Sequence, residues 1–145
     1  MAIATRFTAW AVLIAIFLML PASVRAADPY NIDVILPLTG TGTFVGHSQQ
    51  EAFQAIEAIA NRSGGIRGRP VKFVLHDDQS NPQVAVQFMN EVIAHKAPVV
   101  LGSASAASCN AMSALLKADG PVHYCLTPSI LPPAGGYVFS TTVST

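Results

Sequence analysis

Apolar and polar positions follow two alternating periods along the chain from residue 27 onward. Residues 30–38 (YNIDVILPL) read as a strand, mixed at first and then continuously apolar, that empties into Thr39-Gly40-Thr41-Gly42. From about residue 46 to 61, Ala52, Phe53, Ile56, Ile59 and Ala60 recur at helical spacing, and Ser63-Gly64-Gly65 supplies a stop. Residues 71–76 (VKFVLH) form a second strand that ends in Asp77-Asp78. Ser80 or Asn81 can cap the next helix, with Pro82 in its first turn and Ala85, Phe88, Met89, Val92 and Ile93 on one face. A third strand over 98–101, a helix over 105–117 and a fourth strand over 122–126 (VHYCL) complete the pattern. Strands and helices alternating at these lengths predict an α/β fold, a parallel sheet with helices on both faces.

In such a sheet a ligand crevice opens at the carboxyl ends of the strands, near the point where strand order reverses. The segments to read for chemistry are therefore 39–46, 77–81, 102–108 and 127–131. The third stands out. Gly102-Ser103-Ala104-Ser105-Ala106-Ala107-Ser108 turns a strand into a helix over small side chains. The first helical N–H groups are then left uncovered at the positive end of the helix dipole, a seat for a carboxylate or another anion. The same small residues would also let helix and sheet pack closely.

The first 26 residues carry an address rather than a fold. Arg6 precedes an apolar run over 9–20, followed by Pro21 and by Ala22-Ser23-Val24-Arg25-Ala26-Ala27, which offers Val24 and Ala26 to a signal peptidase. The run falls short of the ~20 residues a membrane span needs. Its layout is that of a secretory signal peptide cleaved after Ala26, so the mature chain, residues 27–145, is expected to be exported. No cysteine stands near the cleavage site, so a lipid anchor is not expected.

The leader also changes the charge balance. The chain has eight basic and eight acidic residues; the mature part loses Arg6 and Arg25 and becomes mildly acidic. It offers no basic patch to nucleic acid. Its length, about 120 residues, suffices for one domain with a core. Cys109 and Cys125 are the only cysteines. They permit a disulfide between adjacent elements or two buried thiols. With no CxxC and no Cys/His cluster in sequence, neither a metal nor a redox site is expected, and no cofactor is called for.

Other motifs weigh against catalysis. Gly40-x-Gly42-x-x-x-Gly46 after a strand invites a dinucleotide reading, and with it a nucleotide-dependent enzyme. The acid that would hold the ribose, Asp77, comes 31 residues after Gly46, against ~20 in the fingerprint. Asp77 and Asp78 point to opposite faces of a strand end, so turn and cap roles, or pairing with Arg67 or Arg69, suit them better than acid/base work. His47, His76, His95 and His123 are scattered, and Ser103, Ser105 and Ser108 fit no nucleophile elbow.

Several strings together carry a family resemblance. LPLTG closing the first strand, Gly46, GGIRGRPVKFVLHDDQSNP, PVVLGSASAAS, YCLTPSI and YVFST resemble the N-terminal lobe of periplasmic solute-binding proteins of the branched-chain amino-acid type, which serve ABC importers. The resemblance implies a type I periplasmic-binding-protein lobe, without the second lobe, that traps a small carboxylate-bearing solute for an inner-membrane ABC-transporter permease; the complete protein would be a monomer. A ligand-sensing domain of a receptor or regulator on the same fold is the alternative. The family's grip on the ligand corresponds here to Ser105, Ala106 and Ala107, with Thr127, Ser129 and Leu131 as a second contact and Phe44 and Val45 as a side wall. Amino-acid binders usually carry serine where Ala106 stands and threonine near Leu131, so the replacements suit a less polar acid at least as well. Ser80 stands where such binders often carry a cysteine, so the usual family bridge is absent and a Cys109–Cys125 bridge would be a different one.

Overall fold

The computed structural model describes residues 27–116 and 120–141. The elements run β1 (Tyr30–Leu36), α1 (Thr43–Arg62), β2 (Val71–Asp77), α2 (Pro82–Ala94), β3 (Val99–Gly102), α3 (Ala106–Ser113), β4 (Val122–Cys125) and β5 (Val138–Ser140). All strands join one sheet in the order β2-β1-β3-β4-β5, and every pairing is parallel. Among the described residues no helix is long and apolar enough to cross a membrane. The expected leader and the Lys117 end of the expected third helix lie outside the described residues.

The differences from the sequence expectation are local. Strand β1 stops at Leu36 because Pro37 has no N–H to continue the ladder. Helix α1 starts at Thr43, a turn early, and α3 is shorter than expected, ending at Ser113. Asn81, not Ser80, caps α2 by accepting from Gln83 N–H at 2.9 Å, with Pro82 behind it. Strand β5 went unseen in the sequence. It is only three residues long, follows Pro132-Pro133 and Gly135-Gly136, and takes its conformation from pairing with β4.

The two faces of the sheet are covered differently. Ile35 and Val100 meet Ala85, Met89 and Val92 of α2 and Met112 of α3 in a dry core. On the other face α1 packs over β1 and β2, with Phe53 against Val34, Leu36 and Phe73. The expected apolar stripe of α1 is corrected here, since Phe53 is buried while Ile56 and Ile59 are 50% and 57% exposed. The face that packs is polar below Phe53. Glu57 accepts from Phe73 N–H at 2.7 Å, and Asn61 bonds both the N–H and the C=O of Val71. Those backbone groups lie on the outer edge of β2, so α1 closes a sheet edge as well as covering a face. Counting only apolar positions could not reveal that stripe. Beyond the reach of α1, Tyr124 and Phe139 stand in one register row with Leu101 and remain exposed.

On the α2 side, buried Asp33 accepts from His76 Nε2 at 2.8 Å and lies 3.0 Å from His95 Nε2. This ties β1, β2 and the end of α2 together.

Candidate functional site

Strand order reverses between β1 and β3, whose following connections leave in opposite directions. The parallel-sheet rule puts the crevice there. A hollow of about 140 Å³ lies at that place, lined by Pro37, Thr41, Gly42, Val45, Ser80, Ala104 and Ser105. Gly42 and Ser105 are the N-cap residues of α1 and α3. Two helix starts therefore border one small cavity.

The α1 start is shaped by close approach. A side chain at Gly46 would strike the Pro37 carbonyl, so glycine lets the first turn of α1 lie on the end of β1. Gly42 carries no side-chain cap. Its N–H instead donates to Ser80 Oγ at 2.8 Å, and that hydroxyl donates to Thr39 C=O at 2.8 Å. The N–H groups of Thr43, Phe44 and Val45 precede the first intrahelical bond, which Gly46 N–H makes to Gly42 C=O. The glycine pattern thus serves packing and loop closure.

The α3 start rests on buried polar contacts. Ser103, fully buried, donates its hydroxyl to Asp78 at 2.6 Å and accepts from Ser105 N–H at 3.2 Å. Asp78, also fully buried, accepts from Ser80 N–H at 2.9 Å. Ser105 Oγ takes the Ser108 N–H at 3.4 Å. Ala106 and Ala107 N–H have no intrahelical acceptor, as at any helix start.

Asp77 and Asp78 diverge, as a strand end requires. Asp77 turns to the β1 loop, where Leu38 N–H, Thr39 N–H, the Thr39 hydroxyl and Gln79 N–H all donate to it within 3.0 Å. Burial pushes its pKa up, but the Thr39 hydroxyl and these N–H groups outweigh that and hold it below the ordinary aspartate value. Neither acid pairs with Arg67 or Arg69 in the described contacts; Arg69 instead bonds the carbonyls of Asp28 and Pro29.

Of the residues expected to form the site, Val45 and Ser105 line the hollow. Ala106 and Ala107 follow Ser105 in the first turn of α3. Phe44, in the first turn of α1 next to Val45, is not part of that lining and is 84% exposed. Thr127 is buried, and its hydroxyl accepts from Ser129 N–H at 3.3 Å in a local turn. Ser129 and Leu131 line a different hollow of about 300 Å³, beside Asn110 and Ser113 of α3. Leu131 is 77% exposed. The structure thus brings Val45 and Ser105 to one hollow and sets Ser129 and Leu131 at another. Pro37, Thr41, Gly42, Ser80 and Ala104 complete the lining without having been singled out as ligand contacts. Their signal was positional, since each follows a strand end. Cys109 and Cys125 are joined as a disulfide between α3 and β4, with Cα atoms 5.9 Å apart.

The lining holds no carboxylate and no basic side chain. What it offers is backbone N–H groups, hydroxyls and an apolar margin, an arrangement suited to an anionic head on an uncharged body.

Comparison with known proteins bears on the same surface. The profile of the family described as periplasmic binding protein matches residues 29–145. The leucine-, isoleucine-, valine-, threonine- and alanine-binding protein of Pseudomonas aeruginosa is 31% identical over 109 residues, covering 74% of this chain and 28% of that protein. The chemotactic signal transduction system substrate-binding protein BasB of Halobacterium salinarum is 30% identical over 112 residues, covering 75% of this chain and 27% of that protein. A type 1 periplasmic binding protein of Bordetella pertussis superposes with a TM-score of 0.68 at 26% identity, over 80% of this chain and 34% of that one. The chain thus spans under a third of the length of the curated relatives it matches. From its parallel sheet to its family profile, the chain belongs to the periplasmic binding protein family.

Proposed function

We propose that this chain is the N-terminal lobe of a substrate-binding component of an ABC importer, and that it holds the carboxylate of a small organic acid between the starts of α1 and α3. The observation that carries this reading is the single hollow bordered by both N-caps. Two helix dipoles ending at one cavity favour an anion, and the uncapped N–H groups supply its hydrogen bonds. At about 140 Å³ the hollow is smaller than a complete small-molecule site of roughly 300 Å³ or more. It fits a head group, with the ligand body resting on Val45 and Phe44 and facing a second surface. No group in the lining is placed to abstract or deliver a proton, which supports a carrier rather than an enzyme. Export by a leader over residues 1–26, delivery to a permease and a monomeric complete protein are part of this reading.

The name of the halobacterial relative supports one variant, in which the loaded protein reports to a chemotactic receptor. The ligand chemistry is the same in both.

The test is thermal unfolding of the mature chain with millimolar leucine, 4-methylpentanoate or benzoate, each set against its carboxamide. Ligand that binds only the folded state raises the midpoint. At least one acid should raise it and the matching amide should not. If no acid does, or if acid and amide act alike, the carboxylate reading is wrong.

A further inference from the structure

The two helices that border the hollow are held to the sheet unequally. Helix α1 is 20 residues long and is fastened along its length, by Phe53 on β1 and by Glu57 and Asn61 on β2. Helix α3 has eight residues, well under the ~12–15 at which a helix begins to hold by itself. What it buries has to keep it in place. That is Cys109 and Met112, together with Ser108, whose hydroxyl finds no partner among the described residues and so costs stability. Its cap bond is long as well, Ser105 Oγ standing 3.4 Å from Ser108 N–H.

Cys109 steadies the turn that borders the hollow. Its N–H donates to Ser105 C=O at 2.9 Å and closes the first turn of α3, which carries the Ala106 and Ala107 N–H groups. Its sulfur is joined to Cys125, the last residue of β4. Ala106 packs against this bridge along with Ile130 and Val138. The end of β4 is itself anchored. Leu126 N–H donates to Ser103 C=O at 3.1 Å, and Leu126 C=O accepts from Gln49 Nε2 at 3.1 Å. The bridge therefore ties a weak helix to a fixed strand end. The fold also has a place for the unlinked sulfur. Cys109 Sγ lies 3.4 Å from the Gly102 carbonyl and 3.3 Å from the Ser103 carbonyl, acceptors for the S–H that reduction creates.

We propose that the Cys109–Cys125 bridge is a redox-sensitive clamp on the α3 half of the crevice. Bridged, it keeps the first turn of α3 closed and its N–H groups in place for an anionic head. Reduced, that turn opens more often and binding weakens, while the α1 half stays as it is. The effect on binding rests on the carboxylate reading above; the effect on α3 does not. The reductant is a dithiol, which gives up two electrons and two protons, closes its own disulfide and leaves two thiols in this chain. Both sulfurs are fully buried, so the exchange passes through a local opening of α3 or of the loop after β4. By linkage, a ligand that holds the α3 start closed makes the bridge harder to reduce.

The test is amide hydrogen exchange on the ¹⁵N-labelled mature chain in three forms: bridged, reduced with dithiothreitol, and carrying Cys109→Ser with Cys125→Ser. Loss of the bridge should speed exchange of Cys109 N–H and Ala114 N–H, both bonded within α3, by about tenfold or more, and leave Gly46 N–H of α1 within about twofold. In the same samples 4-methylpentanoate should bind about tenfold more weakly to the reduced chain and to the double variant, and reoxidation of the reduced chain should restore the bridged affinity. Unchanged exchange in α3, an equal rise in α1 and α3, or equal affinity of bridged and reduced chains would each overturn the clamp. If the bridged chain binds no acid, the carboxylate reading falls, and the contrast in exchange between α3 and α1 alone decides the clamp.

Discussion

The two helix starts at the crevice reach the same result by opposite means. Helix α1 begins on glycine, has no side-chain cap, and lies against β1 because Gly46 presents no side chain to the Pro37 carbonyl. Helix α3 begins on a serine cap, and beneath it Ser103 and Asp78 form a dry hydrogen-bonded base. One start is placed by the absence of atoms and the other by buried polar atoms. Ser80 joins them, with its hydroxyl on Gly42 and its N–H on Asp78. A pair of N–H clusters can be aimed at one small hollow without any charged side chain in the lining.

That contrast can be broken from either side. Gly46→Ala should act most strongly, costing about 3 kcal/mol in urea unfolding, because the new methyl meets backbone that cannot swing away. Ser103→Ala should cost about 2 kcal/mol, since it strips a buried carboxylate of its hydroxyl donor. Ser105→Ala should cost about 1 kcal/mol, the usual worth of an N-cap, and should weaken carboxylate binding while leaving the α1 start in place. The smallest change concerns pH. The Asp77 pKa is lower in the folded chain, so its contribution is present above the ordinary aspartate value and lost as pH falls through the lowered one. Asp77→Asn should flatten the acid limb of the stability curve relative to the parent, read as urea midpoints from pH 6 downward.

Much of this was legible in the chain itself. The alternation of periods gave four of the five strands and the three helices, and the rule that crevices lie beyond strand ends led to residues 102–108 before any contact was known. The misses share a cause, namely partners distant in sequence. Glu57 and Asn61 look like solvent-facing residues until the β2 edge is beside them. Strand β5 exists through its pairing with β4. The place of the loop after β4 is likewise set in three dimensions, where Ser129 and Leu131 line a second hollow beside α3.

The central claim is that two helix starts hold one carboxylate. Its most direct test is a titration of the ¹⁵N-labelled mature chain with 4-methylpentanoate and, separately, with its carboxamide, following backbone amide shifts. The account predicts that the acid alone moves the amides of Thr43, Phe44, Val45, Ala106 and Ala107 together, along one binding curve. Shifts centred elsewhere, or an equal response to the amide, would contradict it.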